Sequence, residues 1–114
     1  MQREIRKYLF DIQEAIESIN DYLEEERDFQ VYLDRKVLRR AVERELEIIG
    51  EATNRILKVD PEIAISDSRR IVNLRNLVIH GYDQIDNVII WGLISKDIPL
   101  LQKQVEKLLD EVGS

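Results

Sequence analysis

The chain has 114 residues, a formal net charge of −6, no cysteine and one histidine. That length supports about one domain with a single core. The missing cysteine excludes disulfides, thiolate metal sites and thiol catalysis, and a lone histidine excludes the multi-histidine zinc patterns.

A magnesium site built from carboxylates alone stays open, although the acidic residues sit at helix-surface spacing. The acidic balance argues against a general nucleic-acid coat protein, so any RNA contact has to be a local basic patch. No apolar run approaches the length of a membrane span, and MQREIRKYLF is too charged for a signal peptide. The expected setting is the cytoplasm, with no membrane association.

Ile5, Leu9, Ile12, Ile16, Ile19 and Leu23 alternate at spacings of four and three, which predicts an amphipathic helix over about residues 2–26. Its acidic end, DYLEEERD, opposes the helix dipole and favours fraying. Asp28 is placed to cap a short helical turn through FQVYL. A second long helix is predicted from near Asp34 to about Val59. Its apolar stripe is Val37, Leu38, Ala41, Val42, Ile48, Ile49, Ala52, Ile56 and Leu57, with Leu46 at an edge. DPE ends it, because Pro61 has no amide proton and biases Asp60 away from helical geometry.

Ser66 or Asp67 then caps a third helix that runs to about His80 and stops at Gly81. Asp86 caps a fourth, from Asn87 to about Val112, which Pro99 should kink or split. Trp91 reads as a core anchor of that last helix. Nothing reads as a strand. Four helices with short joints make an antiparallel bundle.

The stretch RNLVIHGY, residues 75–82, holds the one histidine. On a helix, Asn76 and His80 share a face, whereas Arg75 and His80 lie about 140° apart around the axis. Their heads converge if the arginine wraps around, if the helix end loosens, or if a two-fold partner sets one copy against the other. Leu77, Val78 and Ile79 between them are core contacts. The dipole at a helix C-terminus favours a protonated histidine, and a nearby arginine opposes it. An ordinary reading also fits these residues. His80 then serves the last carbonyls, Arg75 a surface ion pair, Gly81 a C-terminal stop and Tyr82 a staple.

The motif of arginine, four residues, histidine, any residue and tyrosine resembles that of the HepT-like toxins. These belong to the HEPN superfamily (higher eukaryotes and prokaryotes nucleotide-binding). RAVERELEIIGEATNRI looks like the family's second-helix signature, and DPEI followed by RRIVNLRN looks like its approach to the third helix. IIWGLISKDIPLL looks like its last helix, with tryptophan and proline. The resemblance covers essentially the whole chain, taken as one domain over residues 1–114.

That resemblance implies an all-α antiparallel bundle of four to five helices, dimerising through the motif-bearing region. It implies the toxin of a type VII-like toxin–antitoxin pair, a metal-independent endoribonuclease that uses no cofactor. His80 would act as general base or acid, Arg75 would hold the phosphate, and Asn76 would orient phosphate or imidazole. The implied antitoxin is an MNT-type nucleotidyltransferase that transfers AMP from ATP onto Tyr82. The implied substrate is RNA, either tRNA or mRNA, and the assembly a homodimer or a larger hetero-oligomer. The alternative is a non-catalytic helical subunit that binds a nucleotidyltransferase or a nucleotide.

Basic residues cluster at Arg35, Lys36, Arg39, Arg40 and Arg44, and again at Arg69, Arg70 and Arg75. Arg39, Arg40, Arg69 and Arg70 are therefore candidate contacts to RNA or to an acidic partner. Such a run equally fits a solvated face or pairs spaced along a helix.

Overall fold

The computed structural model describes residues 3–23, 27–73 and 87–113. Its first helix, α1, spans Arg3–Leu23 and buries Ile5, Leu9, Ile12, Ala15, Ile16, Ile19 and Leu23. These residues form the predicted stripe, with Ala15 added to it. A short helix, α2, spans Phe29–Asp34. Asp28 caps it as expected, its carboxylate accepting from the N–H groups of Gln30 at 2.8 Å and Val31 at 3.4 Å.

The long helix α3 spans Lys36–Val59. It starts two residues after the expected Asp34, because Asp34 still belongs to α2 and Arg35 is extended between the helices (φ −111°, ψ 96°). The apolar stripe of α3 also needs correction. Leu46 has no exposed surface, whereas Val37 is 81% exposed. Leu46 follows Val42 by four residues and precedes Ile49 by three, so it sits in the centre of the buried face. Val37 lies on the first turn, before that face begins at Leu38.

Helix α3 ends at Asp60, as the proline required. The Asp60 N–H still donates to the Ile56 carbonyl at 2.8 Å, and its carboxylate accepts from the Glu62 N–H at 3.0 Å. The connection then crosses the core, where Ile63 and Ile65 are buried. Residues 68–73 are helical and form the described part of α4. The Asp67 carbonyl accepts the first bond, from the Ile71 N–H at 3.1 Å. Asp67 itself has φ 55°, in the left-handed region that aspartate tolerates better than most residues.

The last segment comprises α5 (Asn87–Gly92), a π-helical turn (Leu93–Asp97) and α6 (Ile98–Gly113). Pro99 was expected to kink or split this helix. What the structure shows is a widened turn just before the proline, with the Ile98 N–H bonded to the Leu93 carbonyl. A proline ring crowds the carbonyl four residues earlier, and a wider turn makes room for it. Ile90, Leu93, Ile94, Ile98, Leu101, Val105 and Leu108 keep a buried face through the change.

The most extensive packing is between α1 and α3, with α6 also lying against α1. Cross-links give the directions. Tyr8 meets Arg55, and Tyr22 donates to Glu45 at 3.3 Å, so α1 and α3 run antiparallel. Ser66 bonds to Gln104 while Arg70 pairs with Asp97, so α4 and the last helix are antiparallel as well. Among the described residues there is no strand. The architecture is an all-α bundle, as expected, with the core shared by α1, α3, α6 and the connection into α4. No described helix is long and apolar enough to cross a membrane.

Candidate functional site

Arg75, Asn76, His80 and Tyr82, together with Gly81 and Asp86, lie outside the described residues. What the structure gives is the frame on either side of them. On the entering side, α4 is held by Ile71, which is buried in the core. Gln104 of α6 accepts from the Ser66 N–H at 3.1 Å and donates to Ser66 Oγ at 2.8 Å. Ser66 thus ties the start of α4 to α6. Arg70 Nη2 lies 3.2 Å from Asp97 Oδ2, across to the π-helical turn.

On the leaving side, α5 is fixed by buried Ile90 and half-buried Trp91. The Trp91 ring lies 5.8 Å from Phe29 and 5.3 Å from Tyr32, both tilted. Trp91 is thus an anchor, as expected, but one that joins α5 to α2 at the margin of the core. The Tyr32 hydroxyl is fully buried and has no hydrogen-bond partner among the described residues. Burial, with the Glu43 carboxylate adding to it, pushes its phenol up to about 12. Tyr32 therefore stays protonated near neutral pH and acts as packing.

The candidate contact arginines fall into different situations. Arg39 donates to the Leu33 carbonyl, closing the C-terminal end of α2. Arg40 pairs with Glu43 at 2.9 Å and Arg44 with Glu47 at 3.6 Å, each three residues on. Arg40 and Arg44 are thus engaged in helix-local pairs, as the ordinary reading of a charge run anticipates, while Arg39 reaches across to α2. In the second cluster Arg70 is held by Asp97. Arg69 is exposed and makes no ion pair among the described residues, so it is the one of the four best placed to meet an anion.

Sequence reasoning missed Asp97 and Gln104, the partners that fasten the approach to the motif. Each is an ordinary polar residue on the last helix, and no local pattern marks it. An open groove of 590 Å³ lies between α1 and α3, lined by Lys7, Asp11, Arg44, Glu47, Glu51 and Arg55 together with Tyr8, Ile48 and Ala52. Its cations face carboxylates, as in Lys7–Asp11 and Arg55–Glu51, which leaves little net attraction for a phosphate. Among the described residues no three histidine, aspartate or glutamate side chains gather to hold a metal ion.

A family model described as ribonuclease HepT-like matches residues 12–108, a span that includes the whole motif. The chain is 38% identical over 112 residues to a Thermococcus cleftensis protein named "Probable ribonuclease HepT", covering 95% of this chain and 98% of that one. It is 35% identical over 111 residues to a Methanocaldococcus jannaschii protein named "Putative RNase MJ1380", covering 92% and 96%. A third relative, from Caldanaerobacter subterraneus and named "Putative RNase TTE0752", is 38% identical over 87 residues, covering 73% and 75%. No solved structure matches the chain.

Proposed function

Because the chain belongs to the HepT-like ribonuclease family, we propose that it is a toxin that cleaves RNA through Arg75, Asn76 and His80, without a metal. The observation that carries this reading is the family match over residues 12–108, within which RNLVIHGY stands complete.

RNA contains its own nucleophile, so the protein has only to move protons and stabilise charge. His80 takes the proton from a ribose 2′-hydroxyl, whose oxygen attacks the adjacent phosphorus. The bond to the 5′-oxygen breaks, that oxygen gains a proton, and a 2′,3′-cyclic phosphate remains. Arg75 grips the non-bridging oxygens in two-pronged fashion, and Asn76 orients phosphate or imidazole. One histidine per chain is few for both proton transfers. A homodimer joined at the motif supplies two, and the cytoplasm is where such a toxin would meet its tRNA or mRNA.

Tyr82 is the point of control in this reading. An MNT-type nucleotidyltransferase antitoxin joins the tyrosine oxygen to the α-phosphorus of ATP, releasing pyrophosphate. Each added phosphate brings negative charge and bulk beside Arg75, which repels RNA from the site. Expressed alone, the chain is expected to arrest growth, and the cognate transferase to relieve the arrest. Co-expression should raise the toxin's mass in steps of one AMP, and Tyr82→Phe should abolish the increase. Undiminished modification of that variant would remove Tyr82 from the account. Normal growth with the unmodified chain alone would favour a non-catalytic binding subunit.

A further inference from the structure

Two polar links tie the chain entering the motif to the helix that leaves it, and both lie outside the motif. Ser66 and Arg70, four residues apart, reach the same neighbour, through Gln104 of α6 and Asp97 of the π-helical turn. Within the described part of α4, residues 68–73, Ile71 is the buried side chain, and the polar links add to its hold. Two links four residues apart toward a single helix fix both tilt and roll. The Arg70–Asp97 pair is also partly open, with side chains 62% and 29% exposed. An ion pair this accessible contributes little to global stability. Its effect is angular, and Arg75 follows Arg70 by only five residues.

We infer that Arg70 and Asp97 form a positioning pair for the motif, fixing the described start of α4 from which the chain continues to Arg75 and His80. Arg70 then does not bind RNA directly. This inference rests on the reading of the motif as the cleavage site. Small misplacements of reacting groups cost rate far more than they cost stability, about 10²-fold for a shift near 1 Å. Loss of the pair therefore lowers kcat and leaves substrate affinity nearly intact.

The test compares Arg70→Gln, Asp97→Asn and the charge-reversed double variant Arg70→Asp/Asp97→Arg, each with its melting temperature measured. Each single change is expected to lower kcat about three- to fivefold with KM within about twofold, and the reversed pair to recover most of the loss. The single histidine supplies a second readout, since its ring protons are the only imidazole signals in the NMR spectrum. Those signals should move in both single variants and return in the double. A raised KM at unchanged kcat in Arg70→Gln, with Asp97→Asn unaffected, would make Arg70 an RNA contact and overturn the inference. An unmoved imidazole in Asp97→Asn would overturn it too, even for a protein that cleaves no RNA. Absence of cleavage by the wild type contradicts only the reading of the motif, and the imidazole signals then still decide for or against the pair.

Discussion

His80→Ala is expected to lower the rate of RNA cleavage by about 10²–10⁴-fold, with circular dichroism and melting temperature close to wild type. The size of the effect follows from composition. No second imidazole in the chain can take over the proton, and no thiol is present. Carboxylates are plentiful, but an ordinary carboxylate is too weak a base to match imidazole near neutral pH. Arg75→Lys should also lose much of the activity, since an ammonium cannot reproduce the two-pronged grip of guanidinium on phosphate. The measurement is initial cleavage of labelled RNA by unmodified protein. Equal rates for wild type and His80→Ala would assign the activity to another site or to a contaminant.

Leu46→Ala is expected to cost about 2–5 kcal/mol in stability. Leu46 has no exposed surface and sits mid-helix on α3, within the buried core. Truncation removes buried apolar surface and leaves a cavity that the surrounding residues, Val42 and Ile49 among them on α3, can only partly fill. The drop in melting temperature should reach at least about 8 °C for a domain of this size. Val37→Ala, on the first turn of the same helix and 81% exposed, should shift stability by less than about 0.5 kcal/mol. Urea unfolding of the two variants checks the contrast. Equal midpoints would mean that Leu46 does not fill the core.

These two positions also show where the sequence could and could not be read. The stripe of α1, the Asp28 cap and the break before Pro61 were legible because each depends on residues within one or two turns. Leu46 reads as an edge residue from its distance to Ile48, but its spacing from Val42 and Ile49 places it on the buried face. Val37 fits the stripe by spacing alone, and the extended Arg35, which delays the start of α3, leaves no local mark. Pro99 marks a disturbance of the last helix, and the disturbance takes the form of a widened turn that no propensity specifies. The links Ser66–Gln104 and Arg70–Asp97 join residues far apart in the chain, and only the packing of α4 on the last helix brings them together. The motif is legible as a local string of residues, and the family to which it points is the one whose model matches residues 12–108.

The central claim is that the RNA supplies the nucleophile and the protein supplies imidazole and guanidinium. It is tested most directly with one RNA in two forms, all-ribose and with a single 2′-deoxyribose at the mapped cleavage position, both incubated with unmodified protein in EDTA. The account predicts cleavage of the first, leaving a 2′,3′-cyclic phosphate and a 5′-hydroxyl, and none of the second at that position. Cleavage of both forms alike, or cleavage only when magnesium is restored, would contradict it.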